Sequence, residues 1–491
     1  MSDSIALDEP SSVANATSIF DRRFRRVAFA VLLLVALSAF EGLSVAAALP
    51  QVAASLGHVE MLPWVITSYL LTAGVSTVAA GSLIDRIGIA KVFRGSVILL
   101  IIGGVLAGLA PSMATLVLAR AIHGAGAGAV NAVGLSAVGL VFPRHLIGRA
   151  FAANTNVWGA MSVGGPALAS VLLTFASWRW IFLVNLPLGA IALVAGWNAL
   201  PPPAHEGRGA ALRTVDLGLL AGFTFFVLFA VDALDGRSLL ALGAAVVCGI
   251  AVVRRNRGRE DAVIAPRHAL DAPLGPLAWG IALMLMAGIG VQTFVPLFVS
   301  AGHGGGTALT AWSVVFFVLG WTGGANIVSR LSERVSPLNV MLGGTVLLSC
   351  ALFAIAGIAA SGAPLPALFV LLVLAGSGIG GSTNAGLTLL RDLVTDDELG
   401  RATAAHQFLR NLGFAMGNAL VGSVLLFVVG TLMGDVERIR EVLGRADGVP
   451  LNAEISAAVQ TGFAVAALVS AVVCLGALAP LWRVRQHIRQ A

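Results

Sequence analysis

Charge is scarce in this chain. Asp, Glu, Lys and Arg make up 11% of its 491 residues, against about 25% in an ordinary soluble domain. That shortage excludes a water-soluble enzyme, and 58% hydrophobic residues with a mean hydropathy of +0.93 exclude a disordered chain. Cysteine is scarce too. Cys248, Cys350 and Cys474 all fall inside apolar runs, where they read as small core residues rather than a disulfide framework or a thiolate metal site. The loops hold no HExxH, no Ser/His/Asp set and no paired acids, so no catalytic centre is expected. Gly124-Ala125-Gly126-Ala127-Gly128 has no strand before it and no Lys-Ser/Thr after it. It is not a phosphate loop, so neither ATP nor any other cofactor is expected. The net charge of +6 sits in short loops, which argues against a nucleic-acid partner.

Long apolar runs are abundant. Runs beyond about 18 residues span a bilayer as helix, and their continuity excludes a β-barrel. Fourteen spans are predicted: 27–49, 62–82, 92–110, 113–140, 149–174, 179–199, A 215–234, B 238–253, 276–300, 308–330, 337–359, 366–390, 402–430 and 456–481. The short span B leaves a re-entrant A/B hairpin open. With the N-terminus inside, 23 of the 30 Lys and Arg fall in inside loops and five outside. This bias predicts a multi-pass protein of the cell membrane with both termini cytoplasmic. Asp3, Asp8, Glu9 and Asp21 make the first residues a poor signal peptide.

The chain repeats itself. Gly148-Arg149-Ala150-Phe151-Ala152-Ala153 returns as Gly400-Arg401-Ala402-Thr403-Ala404-Ala405, and Gly165-Pro166-Ala167-Leu168 as Gly417-Asn418-Ala419-Leu420, both at offset 252. Leu83-Ile84-Asp85-Arg86-Ile87 resembles Leu331-Ser332-Glu333-Arg334-Val335 at offset 248. The expected fold is all-α and integral to the membrane: two pseudo-symmetric six-helix bundles with two extra central helices. The predicted divisions are a tail 1–26, a first bundle 27–200, a linker 201–274 carrying A and B, a second bundle 275–482 and a tail 483–491. Two related bundles around a midplane cavity form a transporter architecture.

Several stretches then resemble the major facilitator superfamily, and within it the fourteen-helix drug:proton antiporters, over about residues 27–485. Gly81-Ser82-Leu83-Ile84-Asp85-Arg86-Ile87-Gly88 is similar to that family's loop motif between helices 2 and 3, although Ile89 and Ala90 replace its two basic residues. The resemblance implies a conformational switch at Gly81, Asp85, Arg86 and Gly88, repeated at Glu333 and Arg334. Leu116, Arg120, His123, Gly124 and Gly126 resemble the helix 4 motif, with His123 in place of a glutamine. Gly165-Pro166 resembles the antiporter motif of helix 5. Trp64–Leu70, Ser177–Pro187 and Leu409–Gly413 resemble the fourteen-helix branch. In helix 1 the family's carboxylate is kept as Glu41, while Leu43 and Ala46 replace its Thr and Asn.

By the span map Glu41 is the only acid well inside the membrane, with Asp232 near the outer end of A. A charge at the bilayer centre costs about 2.5–3.5 kcal/mol on insertion scales, so such a residue should face a partner or a cavity. Glu41 is eight residues from Leu49, and Arg120 is seven from Met113. At about 1.5 Å per residue both lie roughly 10–12 Å deep. His123 lies a turn beyond Arg120 on the same face. Glu41, Arg120 and His123 are therefore the candidate proton-coupling residues. Tyr69, Asn156, Trp158, Gln292, Trp321, Asn384, His406 and Arg410 are candidate substrate-binding residues, because aromatic faces with a few polar groups suit greasy or cationic amphiphiles. The expected function is export of small amphipathic molecules in exchange for protons, by alternating access. Export of a lipid or specialised metabolite is the near alternative, and a polytopic membrane enzyme or a non-transporting sensor the remote ones. The outer segment 434–456 reads as a solvated loop or an extension for cargo.

Overall fold

The computed structural model describes residues 18–58, 61–201, 213–233, 236–259, 262, 264–304, 307–331, 334–362, 364–433 and 453–490. Glu333, the segment 434–452, and the side chains of Asp85, Pro166 and Asp232 lie outside the described residues. A helix stands at each of the fourteen predicted positions, and no strand occurs among the described residues. The first bundle comprises α1 (Arg25–Leu56), α2 (Leu62–Ile87), α3 (Ile89–Gly108), α4 (Met113–Val141), α5 (Arg144–Phe175), and a sixth element broken at Val184 into α6 (Arg179–Leu183) and α7 (Asn185–Gly196). An inserted antiparallel pair follows, α8 (Thr214–Ala233) and α9 (Gly236–Asn256), and then a short α10 (Pro266–Ala269). The second bundle comprises α11 (Leu274–Leu297), α12 (Thr307–Leu331), α13 (Pro337–Ser361), α14 (Leu365–Asp392), α15 (Asp396–Met433) and α16 (Ala453–Gly476), and α17 (Leu478–Gln490) trails it. Among the described residues, ten helices are long and apolar enough to cross a membrane. They include Arg237–Asn256, so B is longer than its predicted 16 residues. The first helix is longer as well: it runs on past Pro50 to Leu56.

Local chemistry sets several of the breaks. Ser112 and Thr115 form a reciprocal capping box that starts α4. Gly88 closes α2 at φ +84°, a backbone conformation that costs glycine nothing. Each bundle buries its own core. One cluster runs through residues 274–484, and two lie within the first 200 residues.

Glycines decide the tightest packing. A Cβ on Gly124 would overlap the Tyr69 carbonyl, and one on Gly128 the Ala73 carbonyl, while Gly126 abuts Leu100 on the opposite side. The glycine run that is no phosphate loop therefore lets α4 lie against α2 and α3 at once. The second bundle repeats this arrangement. Gly376 and Gly380 abut the Phe317 and Trp321 carbonyls, seating α14 on α12. Small residues that bring backbones together are the usual means of packing helices where lipid supplies no hydrophobic drive.

The bundles meet along two seams. In one, α2 packs on α15, with Gly81 facing Ala404, and Gly74 facing Phe408 and Asn411. In the other, α5 packs on α12, with Gly159 against Thr322 and Asn326 donating to Asn156 at 3.4 Å. These pairs are images of one another under the sequence repeat, because offsets near 250 carry α2 to α12 and α5 to α15. The Gly81–Ala404 and Asn326–Asn156 contacts lie on the helix halves that carry Arg86, Arg149, Arg330 and Arg401, whereas Gly74 and Gly159 stand near mid-helix. Between the seams, α1 and α4 make no extended contact with α11 and α14 among the described residues. Among the described residues the pair α8/α9 makes extended contact with the first seam and not the second, and Leu220 joins Val78, Ala282, Phe408 and Leu412 in one apolar cluster.

Candidate functional site

Glu41, Arg120 and His123 are separated by up to 82 positions in the chain and meet in one buried cluster. All three are at most 2% exposed. Arg120 Nη1 donates to Glu41 Oε1, and Arg120 Nε donates to the Val65 carbonyl at 3.0 Å. His123 Nδ1 lies 3.0 Å from Glu41 Oε1 and 3.3 Å from Arg120 Nη1. With its proton on Nδ1 the ring donates to the carboxylate, so two donors converge on one oxygen. Tyr69 closes the cluster: its ring lies 4.1 Å below the Arg120 guanidinium carbon and meets His123 edge-on at 5.8 Å. Phe182 flanks the same guanidinium at 5.5 Å.

The packing around the cluster fixes its position. Ser68 donates to the Val117 carbonyl at 3.2 Å, and Thr77 donates to the Gly128 carbonyl at 3.0 Å, so the register of α2 on α4 is pinned on both sides of Tyr69. Gly103 makes room for the backbone of His123. Ser44, one turn beyond Glu41, donates to the Gly165 carbonyl at 3.3 Å, which ties α1 to the Gly165-Pro166 motif.

The same seats in the second bundle hold no charge. Matching glycine contacts pair Tyr69 with Phe317, and the offset of 252 pairs Arg120 with Leu372 and His123 with Ala375. Ser44 at Gly165 corresponds to Gly290 at Gly417, which places Glu41 opposite Ala287. Ala287, Phe317, Leu372 and Ala375 are all buried core residues. One bundle therefore carries an ionic cluster where its partner carries packed hydrocarbon.

The remaining candidates distribute differently. Tyr69, one of the substrate-binding candidates, is half-buried and packs against Arg120. Trp321 stacks on Phe414 at 6.4 Å, and Arg410 lies over the same Phe414 at 6.0 Å while donating to Gln407 at 3.4 Å. Asn384 donates to the Ala325 carbonyl at 3.4 Å, and Asn156 accepts from Asn326 across the seam. Trp158 is 42% exposed, and Gln292 is half-buried. His406 is buried, and its Nδ1 meets no hydrogen-bond partner. In the switch motif Gly81 faces Ala404 at the seam, whereas Arg86 and Arg334 are exposed.

Sequence reasoning missed two polar contacts. Thr293 donates to Asn418 at 2.7 Å between α11 and α15, beside Gln292. Asp216 is a second buried acid, held by Arg213 and Arg255, each at 2.6 Å. Asp216 lies in the first turn of α8 and clamps the start of α8 to the end of α9. The spacing of Arg213 and Asp216 was the available signal.

A third ionic group ties the linker to α15. Arg267 pairs with Glu398 at 2.6 Å, and buried His268 lies 3.8 Å from the same carboxylate. Burial holds the His268 imidazole below its usual 6.5, Arg267 and Arg401 push the same way, and Glu398 opposes them. The unfolded chain therefore takes up this proton first as pH falls below about 6.5, and stability declines until the lower folded-state value is reached. His268→Gln should flatten the decline of the thermal midpoint in detergent between pH 7 and 5. An unchanged slope would remove His268 as its source.

Two bundles related by an internal repeat and meeting along two seams define a polytopic membrane fold of the kind transporters use. The chain belongs to the Major Facilitator Superfamily, whose sequence profile matches residues 30–418 and 327–490. An uncharacterised MFS-type transporter of Mycobacterium tuberculosis (strain H37Rv) is 29% identical over 427 residues, covering 84% of this chain. The chain spans 61% of that relative's length. The multidrug transporter protein MdtP of Bacillus subtilis is 26% identical over 438 residues, 86% of this chain and 78% of MdtP. The putative multidrug resistance protein MdtD of Citrobacter koseri is 30% identical over 319 residues, 62% of this chain and 65% of MdtD. The crystal structure of the human organic anion transporter MFSD10 shares the fold at a TM-score of 0.60 and 15% identity, covering 92% of this chain and 99% of that one. The family and these neighbours are transporters, not enzymes.

Proposed function

We propose that this protein exports small amphipathic molecules, drugs among them, in exchange for protons, with both termini and the arginine-rich face in the cytoplasm. The observation that carries this reading is the buried Glu41–Arg120–His123 cluster packed on Tyr69, in a bundle whose partner has hydrocarbon at the same seats. A buried ion pair is poor stabiliser for a membrane bundle, since desolvation offsets much of its attraction. The packed hydrocarbon of the second bundle shows that the fold does not need charge there. A titrating role accounts for its presence in the first.

In this reading the seams are closed toward the cytoplasm and the site is open outward. A proton taken up by Glu41 cancels the charge that Arg120 and His123 hold. Arg120 is then an uncompensated buried cation, and the closed seams lose their advantage over the inward-open arrangement. Cargo occupies the space between the bundles near Trp321, Phe414, Asn384, Asn156 and the Thr293–Asn418 pair, where aromatic faces and amides accept greasy or cationic molecules without a fixed geometry. The relatives named for multidrug transport support this class of cargo.

Proteoliposomes with an imposed pH gradient and a panel of cationic, neutral and lipid-like substrates test the reading. Gradient-dependent accumulation of at least one cationic amphiphile is expected, and accumulation indifferent to the gradient for every substrate would refute proton exchange. The rocking motion has its own test. In a cysteine-free background, Asn156→Cys with Asn326→Cys should cross-link under mild oxidation, stop transport, and recover on reduction. Full transport by the cross-linked protein would mean that the α5/α12 seam does not open.

A further inference from the structure

At the arginine-rich end of the inserted pair the chain forms a half-open cavity of about 460 Å³, lined by Val253, Asn256, Arg257, Arg259, Arg267 and Asp271 among others. Among the described lining residues stand three arginines and one aspartate. The cavity exists because of how α9 ends. Arg257 N–H continues the helical pattern to the Val253 carbonyl at 2.9 Å, and Gly258 then turns the chain at φ +72°. Arg257 and Arg259 thus flank the turn, and α10 brings Arg267 to the same space.

The helix leading into this cavity is bare. Only 11% of the apolar stretch of α9 is buried, against 33% or more in the nine other long apolar helices among the described residues. Val246, Val247 and Ile250 are 47–67% exposed. Val246, Ile250, Val253 and Arg257 fall at i, i+4, i+7 and i+11, so one helix face runs from open hydrocarbon into the cationic cavity. That is the outline of an amphiphile: an anionic head in the cavity and chains along the helix.

We propose that this cavity binds the phosphate headgroup of an anionic phospholipid whose acyl chains lie along α9. Basic pockets at this level of a membrane protein suit such headgroups, and a free phosphate would make no use of the exposed stripe. Arg267 also pairs with Glu398 at the start of α15, so the headgroup shares an arginine with the bundle seam.

The test uses the full-length purified protein, titrated with phosphatidylglycerol or phosphatidylcholine and read by native mass spectrometry. Wild type should retain phosphatidylglycerol at least about ten-fold better than phosphatidylcholine, and the preference should weaken in high salt. Arg257→Gln with Arg259→Gln should abolish the preference while leaving the lipid-free thermal midpoint unchanged. Arg22→Gln with Arg23→Gln removes the same charge from the same face and should keep it. If the first double variant misfolds, Arg257→Lys with Arg259→Lys, which keeps the charge, should bind phosphatidylglycerol with reduced affinity in folded protein. Equal retention of both lipids, or undiminished preference in Arg257→Gln with Arg259→Gln, would overturn the proposal. Displacement of phosphatidylglycerol by inorganic phosphate at equal concentration would also overturn it, by assigning the cavity to a free anion.

Discussion

Glu41→Gln is expected to abolish accumulation driven by a pH gradient while leaving substrate binding in place. Glutamine keeps the size of the side chain and can accept from Arg120 and His123, but it takes up no proton, so the step that links protonation to reorientation is missing. Substrate binding by wild type should weaken as pH falls, and the variant should lose that dependence. Arg120→Ala is expected to be the more damaging change to the fold. It leaves a buried carboxylate without its cation, which costs about 3–5 kcal/mol where such pairs have been broken. Combining Glu41→Gln with Arg120→Ala should recover part of that loss, because the uncompensated charge is gone, and thermal midpoints in detergent would measure the coupling. Gradient-driven pumping by Glu41→Gln at the wild-type rate would place the proton site elsewhere, and a double variant no more stable than Arg120→Ala would mean that the pair carries no coupling.

The second large effect is expected from Gly128→Val. A Cβ there would overlap the backbone oxygen of Ala73, and backbone cannot swing aside as a flexible side chain can. The substitution must lift α4 off α2. That breaks the Thr77 bond to the Gly128 carbonyl and disturbs the seat of Tyr69 under Arg120. Overpacking costs of about 1–3 kcal/mol are typical and more is expected where backbone blocks relaxation, so the variant should lose monodisperse folded protein. Gly139→Ala is the control on the same helix. Nothing lies within 4 Å of its Cβ position, so it should be neutral or stabilise by up to about 1 kcal/mol. Equal behaviour of the two variants in size-exclusion chromatography would refute the close-packing account.

Much of this fold is legible in the sequence because a bilayer enforces simple rules. Length and hydropathy placed the helices, and the repeat at offsets 248 and 252 anticipated two related bundles. The cluster was legible for a related reason: a buried acid and a buried arginine at matching depth have few ways to avoid each other. Tyr69 and Phe182 were harder. Which aromatic lies on Arg120 depends on the rotation of α2 against α4, and that rotation is set by glycines whose partners are 50 or more residues away. Asp216 was missed because hydropathy treats the first turn of a helix as surface, whereas two arginines from both ends of the inserted pair cover it. The Thr293–Asn418 pair depends on the contact between α11 and α15, which no local pattern encodes. Helix 1 passes through Pro50, a residue that local rules read as a stop.

The inserted pair α8/α9 breaks the two-fold symmetry of the molecule in a way that bears on traffic. It stands against the α2/α15 seam, and among the described residues it makes no extended contact with α5 or α12. An amphiphile already dissolved in the membrane thus meets two unlike flanks. One is shuttered by an extra pair of helices, and the other borders lipid directly. If the proposed export of amphiphiles holds, lateral entry would be one-sided, by way of the α5/α12 flank.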